Sequence, residues 1–369
     1  MFPQIRHIDD LRSQVAHLPE IRFQTNEFGF TVVCYMIAGA DTFTGEHAPF
    51  SRECRGITFG PDGKIASRPL HKFFNVGELP ETLEDVVAGK WDSLCRIMDK
   101  RDGSMLHPIK LQNGEIILKT KKSFTSDVAL QATKFVNLPQ NAEILEFCRQ
   151  CVSNDWTPVF EYTSPKSRIV LAYGEEKLVL LHVRDNITGE YFHSGVVHAI
   201  AKPFGIEVVE EFNRYDYTFE KTKGLTKSLQ DVEGFVIEFA DGSMTKWKTD
   251  WYFEMHHAVV FVRERDIAEM VLSETVDDYK SYRTQAGMPL EPILEIERRV
   301  LAELNHIQAQ AEEAYAQIKD CVTRKEAALK LKGHKWFSAA MDLYNGKEFD
   351  VKYFFERNVL KEKFSLDQI

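Results

Sequence analysis

The stretch Lys100-Arg101-Asp102-Gly103-Ser104 sets a cation, a carboxylate and a glycine directly behind an apolar run, Leu94-Cys95-Arg96-Ile97-Met98. That run reads as a short buried strand. A lysine leaving it beside a turn is placed to act on a phosphate, and Gly103 lets the backbone approach a ligand closely. The same residues also describe an ordinary strand end at the surface, because lysines are mostly exposed. Other chemistry-bearing residues stand further along the chain: Glu161 in Phe160-Glu161-Tyr162, Glu233 in Glu233-Gly234-Phe235, and Lys246 with Lys248. Strand side chains repeat every two residues, so Lys246 and Lys248 share a face, with Trp247 turned the other way into packing.

The elements that must position these residues follow from local pattern. Residues up to about 25 read as a helix and its connection. Phe28 to Ile37 and Arg52 to Phe59 have strand character, separated by a polar loop from Gly39 to Phe50. Pro61-Asp62-Gly63 is a turn before Ile65 to Arg68. Lys72-Phe73-Phe74-Asn75 sets two aromatics between a cation and an amide, which suits either a snorkelling lysine over core rings or a ligand shelf. Met105 to Leu111 and Glu115 to Lys121 form a hairpin around Asn113-Gly114, and Lys119 and Lys121 share one face of its second strand. Ser126 to Asn137 and Ala142 to Val152 read as helices. Pro158 to Tyr162, Ile169 to Tyr173 and Leu178 to Val183 read as extended. Val232 to Phe239 and Met244 to Lys248 make a second hairpin around Ala240-Asp241-Gly242.

Near Asp250 the period becomes helical, clearest at Ile293, Ile296, Val300, Leu304, Ile307, Ala311, Ala314, Ile318 and Cys321. A further helix holds Trp336, Ala339, Ala340 and Leu343 and ends near Asn345-Gly346. The pattern predicts an α+β domain over residues 1–252 and an all-α domain over 253–369, as the chain's 369 residues suggest.

Composition narrows the function. A hydrophobic share of 44%, a charged share of 28% and a net charge of -10 describe a soluble globular chain that is not a general polyanion binder. No signal peptide and no membrane helix is evident, which predicts a cytoplasmic protein. The six cysteines are scattered, as in a reducing compartment. Cys148 and Cys151 form a C-x-x-C pair on a helical segment without the second pair a zinc site needs. G-x-x-x-x-G-K-[ST], G-x-G-x-x-G, H-E-x-x-H and G-x-S-x-G are all missing from the sequence. His256-His257 is an isolated pair.

Lys-x-Asp-Gly, Phe-Glu-Tyr, Glu-Gly-Phe-Val-Ile and Lys-x-Lys, in that order, resemble the motifs of the covalent nucleotidyltransferases. In detail the chain resembles the RNA ligase 1 family of T-even-type phages. Glu53-Cys54-Arg55-Gly56-Ile57, Ser67-Arg68-Pro69, Lys72-Phe73-Phe74-Asn75, Arg168-Ile169-Val170-Leu171-Ala172-Tyr173 and Lys248-Thr249-Asp250-Trp251-Tyr252 carry that likeness, which runs from about Tyr35 to Tyr252. The resemblance implies an ATP-grasp-like nucleotidyltransferase fold, with antiparallel sheets flanked by helices and an all-α C-terminal domain that selects RNA. It also implies an ATP-dependent RNA ligase, in which a lysine takes AMP from ATP, passes it to an RNA 5'-phosphate, and a 3'-hydroxyl then displaces AMP.

By the same match Lys100 is the nucleophile. A free lysine with a pKa of about 10.4 is neutral only about once in 2500 at pH 7, so nearby cations are expected to ease its deprotonation. Lys246 and Lys248 match phosphate-binding lysines. Tyr35, Arg55 and Lys72 fall on nucleotide-contacting positions, together with Asp102 and Gly103 of the lysine motif. Glu161 matches a ribose-binding glutamate, Glu233 orients the lysine or a metal, and Val236 packs on adenine. Lys121 matches a lysine needed for ligation. Asp277 is the metal position for Mg2+, for which Mn2+ can substitute.

The implied partners are RNA carrying 5'-phosphate and 3'-hydroxyl ends, such as a nicked tRNA anticodon loop, and an end-healing polynucleotide kinase-phosphatase. The implied setting is the cytoplasm of the host cell if the chain is phage-encoded, with no membrane. Arg324, Lys325, Lys330, Lys332 and Lys335, with Glu326 the single acid among them, suit RNA phosphates or a solvated helix face. The competing readings are a DNA ligase or capping guanylyltransferase, which would continue into a β-barrel OB domain, and an inert RNA-binding protein, which would carry a broken nucleophile motif.

Overall fold

The computed structural model describes residues 2–36, 38–167, 171, 173–256, 264–285 and 288–360. Of the motif from Arg168 to Tyr173, only Leu171 and Tyr173 are among them, so the extended stretch expected there lies outside the described residues, as does His257. Two compact units make up the chain: Met1–Ala258 with Thr284–Ala286, and Val259–Arg283 with Gly287–Ile369.

In the first unit, β1 (Ile21–Thr25), β2 (Thr31–Tyr35), β3 (Arg55–Phe59) and β4 (Ile65–Ser67) form an antiparallel sheet in that order. The following strands are β5 (Phe74–Asn75), β6 (Leu94–Asp99), β7 (Ser104–Lys110), β8 (Ile116–Lys119), β9 (Trp156–Thr163), β10 (Lys177–Asp185), β11 (Glu211–Phe212), β12 (Gly234–Phe239) and β13 (Met244–Lys248). They build two sheets, of order β10-β9-β7-β8 and β11-β6-β12-β13-β5. The helices of this unit are α1 (Ile8–Val15), α2 (Ala48–Ser51), α3 (Glu84–Gly89), α4 (Asp127–Val136), α5 (Ala142–Ser153), α6 (Ser194–Ala201), α7 (Phe219–Ser228) and α8 (Asp250–His256).

Local chemistry explains most of these elements. Asn113-Gly114 turns the β7–β8 hairpin, with Gly114 at φ +86°. Ser126 caps α4 by accepting the Ala129 N–H, and the helix buries Ala129, Ala132 and Val136. Cys148 and Cys151 are buried in the apolar core that α5 shares with β7 and β9, where burial pushes both thiols up, Cys151 to about 12. That is core packing and not a redox pair.

Several expectations change. The second strand of the hairpin stops at Lys119, because Thr120 turns the chain by accepting from and donating to Ser123. Lys121 therefore lies beyond the strand. The segment read as a loop contains α2. Phe74 and Asn75 pair in parallel with Thr245 and Lys246, which places the aromatic motif at the edge of the third sheet.

The second unit is helical throughout its described residues: α9 (Glu264–Leu272), α10 (Val276–Gln285), α11 (Glu291–Ala316), α12 (Arg324–Lys330), α13 (Phe337–Tyr344) and α14 (Val351–Asn358). α11 buries Ile293, Ile296, Val300, Leu304, Ile307, Ala311 and Ala314 against α9, α13 and α14. Each fully buried aliphatic chain contributes about 1.5–3 kcal/mol.

Candidate active site

Strand register assembles one polar face. Lys248 pairs with Gly234, Lys246 with Val236, and Val236 with Met98, while the Lys100 N–H donates to the Gly234 carbonyl at 3.0 Å. Alternation then puts Met98, Lys100, Val236, Lys246 and Lys248 on one face. Ile97, Phe235, Ile237 and Trp247 take the other, where they fill an apolar core.

The chemical centre of that face is Glu233, only 3% exposed. Its Oε1 lies 2.7 Å from Lys100 Nζ and 3.0 Å from Lys248 Nζ, and its Oε2 is buried without a hydrogen-bond partner. The two amines are thus joined through one carboxylate oxygen. The cation nearest Lys100 thus reaches it through the carboxylate expected to orient the lysine or a metal. Lys248 Nζ also lies 4.7 Å over the Tyr252 ring.

Glu161, on β9 opposite Met105, is half-buried on the neighbouring sheet. Burial pushes its carboxyl up to about 8. Lys100 and Arg55 oppose that rise, and Glu233 and Asp102 add to it. Arg55 Nη1 reaches the Leu70 carbonyl at 3.4 Å and the guanidinium sits 5.7 Å over Phe73, with no carboxylate partner among the described residues. Val236 packs beside Met98, Val179 and Val209. Lys72 is buried in a cage of Tyr35, Phe43 and Phe74, its Nζ 4.9 Å from the Phe74 centroid and 3.6 Å from Glu78 Oε1. The ammonium is buried and does not snorkel to solvent, and Lys72 and Phe73 line a cleft of about 310 Å³. Lys121 Nζ stands 4.4 Å over the Tyr35 ring.

Two residues of the lysine motif act differently from expectation. Asp102 is engaged within the protein: its Oδ1 accepts from the Tyr252 hydroxyl at 2.8 Å and its Oδ2 from the Leu171 N–H at 2.6 Å. Its own N–H donates to the Tyr173 hydroxyl at 3.1 Å. It braces the turn that carries Lys100. A Cβ on Gly103 would come 2.5 Å from the Tyr162 carbonyl oxygen, so glycine there admits the close approach of β9.

The metal position also changes. Asp277 lies on α10 with its Oδ1 3.0 Å from Lys280 Nζ, a nitrogen also held by Glu297 at 2.9 Å. Its charge neutralises a lysine in the helical unit. Among the described residues no group of three His, Cys, Asp or Glu side chains could hold a metal ion. The cations of this face fit a polyanionic nucleotide, and among the described residues the side chains form no metal cage.

Sequence reasoning missed two supports. Glu53 is buried between two arginines: Arg68 Nε at 3.0 Å and Arg184 Nη2 at 2.6 Å. Burial raises its carboxyl, but Arg184 and Arg68 outweigh that and hold it at about 2. Glu53 and Arg68 both sit in motifs noted above, yet their partner Arg184 carries no local signal. The second is Lys119, fully buried, whose Nζ donates to the carbonyls of Gly56 at 3.4 Å and Lys121 at 3.3 Å. Burial lowers its amine to about 7, against a small upward pull from Cys34. Gly56 has φ +99°, and a Cβ there would lie 2.4 Å from the Lys121 oxygen. Lys119 thus fastens the backbone after Arg55 to the backbone of Lys121.

Over 85% of this chain and 80% of the other, the fold matches a protein of Aquifex aeolicus provisionally named an ATP-dependent DNA ligase, with a TM-score of 0.50 at 13% identity. The fold is therefore the nucleotidyltransferase fold. The sequence profile described as RNA ligase matches residues 53–257, and the chain belongs to that RNA ligase family. A provisionally named RNA ligase of Thermovibrio ammonificans is 29% identical over 91% of this chain and 88% of its own length. RNA ligase 1 of Bacteriophage TS2126 is 29% identical over 62% of this chain and 56% of its own. No described helix is long and apolar enough to cross a membrane.

Proposed function

We propose that this RNA ligase uses ATP and works through two adenylated intermediates. The observation that carries the reading is the pairing of Lys100 and Lys248 on one oxygen of buried Glu233. Lys100 Nζ gives one proton to the Glu233 oxygen that it faces and attacks the α-phosphorus of ATP. The N–P bond forms as the bond to the bridging oxygen breaks, and pyrophosphate leaves. An oxygen of the RNA 5'-phosphate then attacks the same phosphorus, restoring the lysine. The 3'-hydroxyl oxygen finally attacks the RNA phosphorus, its proton passing to solvent, and AMP departs with the electron pair of the broken P–O bond. Lys246, Lys248, Arg55 and Lys72 offset the developing phosphate charge.

Glu161, held protonated near neutral pH by its raised carboxyl, can donate as well as accept at the ribose hydroxyls. Val236 offers an apolar surface to the adenine. Lys121 serves the joining step. A divalent cation, Mg2+ in the first instance, would be held chiefly by the phosphates it accompanies, and its contribution is to withdraw charge from them. The substrates in this reading are 5'-phosphate and 3'-hydroxyl RNA ends, such as those of a broken tRNA anticodon loop. An end-healing kinase-phosphatase supplies them in the cytoplasm, and the helical unit selects the RNA.

A DNA ligase or capping enzyme would carry an OB barrel after the last lysine motif, whereas the described residues that follow β13 are helical. An inert RNA-binding protein has no use for an intact nucleophile constellation. The test is incubation with α-labelled ATP or GTP and Mg2+, followed by denaturing electrophoresis. Label is expected on the polypeptide from ATP alone, and none in Lys100→Ala. Labelling by GTP, or labelling that survives the substitution, would overturn the assignment.

A further inference from the structure

The helical unit gathers several exposed cations in one short segment. Overall the protein is acidic, at -10. In this unit Arg265, Lys280, Arg298, Arg299 and Lys352 each have a carboxylate partner. Residues 324–335 gather five cations in one short segment: Arg324, Lys325, Lys330, Lys332 and Lys335 are all exposed on α12 and the turn after it. None of the five has a carboxylate partner among the described residues. The one acid between them, Glu326, spends its Oε2 on the Val322 N–H, closing the N-terminal turn of α12. What fixes the element is apolar, since Ala327 and Leu331 are fully buried while the cations ring the outer face.

Exposed apolar groups are interleaved with these charges. Val322 is 90% exposed and Leu329 63%, and Phe337 shows part of its ring at the start of α13. Exposed apolar side chains set among cations offer a surface to a ligand that carries both charge and apolar faces. Unpaired cations around apolar and aromatic surface match a flexible polyanion whose bases can lie on the apolar patches while its phosphates meet the charges. In a chain of the RNA ligase family, that polyanion is RNA.

We propose that the outer face of α12 and the following turn, with Arg324, Lys325, Lys330, Lys332 and Lys335, is an RNA-docking surface that grips the backbone of the strand to be sealed through its phosphates, in a loop or single-stranded segment. This rests on the RNA ligase reading and adds a binding surface remote in sequence from the adenylating lysine.

The full-length protein is titrated with a 5'-phosphorylated single-stranded RNA by fluorescence anisotropy at several salt concentrations. The triple substitution Lys325→Glu, Lys330→Glu, Lys332→Glu is compared with a control of equal net charge, Lys64→Glu, Lys110→Glu, Lys227→Glu, at exposed lysines of the first unit. The α12 variant is expected to bind at least about tenfold more weakly, and its log–log salt slope to flatten by about 2, near the −0.7 per phosphate of single strands. The control should stay within about twofold of the unaltered chain. Equal losses in the two variants, or no loss in either, overturn the proposal, the second outcome leaving the face to an acidic protein partner. Self-adenylylation is measured in parallel on the unaltered chain, so that a failure of the ligase reading registers separately from a failure of the docking surface.

Discussion

Glu161 gives a quantitative test of how the site is built. Its carboxyl is raised from 4.5 to about 8, with burial as the largest cause. At about 1.36 kcal/mol per pH unit that difference is on the order of 5 kcal/mol unscreened, and about half that for a half-buried group open to solvent. Between pH 4.5 and 8 the folded chain keeps a proton that the unfolded chain has released. The stability this protonation contributes is therefore complete below pH 4.5 and is lost as pH rises through 8. Glu161→Gln cannot ionise, so it escapes the loss. Urea unfolding of the full-length chain and of the variant, at unit steps from pH 5 to pH 9, should give similar stabilities at the acid end. The variant should move ahead by about 2–3 kcal/mol at pH 8–9. Comparing the two proteins cancels every other titrating group. A difference that stays flat with pH, or that grows toward acid, would show that the carboxyl is not held protonated and would remove the argument that it can donate to a ribose.

Glu233→Gln removes the charge that joins Lys100 and Lys248. Breaking a buried pair should cost about 3 kcal/mol of stability, and loss of the lysine's placement about a hundredfold in self-adenylylation; a decrease below threefold would count against the positioning role. Lys121→Ala should leave self-adenylylation intact and abolish strand joining, and intact joining would refute its assignment. Lys119→Met releases the Lys121 backbone without touching Lys100. Joining should therefore fall several-fold more than self-adenylylation, and equal losses in the two rates would mean that the clamp is merely structural.

Period and turn chemistry alone locate the hairpins around Asn113-Gly114 and Asp241-Gly242, set Lys246 opposite in facing to Trp247, and give the long helix from its stripe of Ile293 to Ala314. These are legible because they depend on neighbours within a few residues. Register slips by a residue or two where a polar turn competes, as Thr120 does at the end of β8. The facing of Lys100, Val236, Lys246 and Lys248 needs only strand alternation once β6 is known to border β12.

What the tertiary structure alone decided is which partner each charge meets. Arg184 finds Glu53 from 131 residues away and Tyr252 finds Asp102 from 150. Lys119 and Lys121 look alike in sequence, yet one is sealed beneath Gly56 and the other lies on Tyr35. A side chain's type fixes the charge it can carry. Whether it meets solvent, a carboxylate or an aromatic ring depends on chain segments that only the completed fold brings together, and that meeting sets its ionisation and its work.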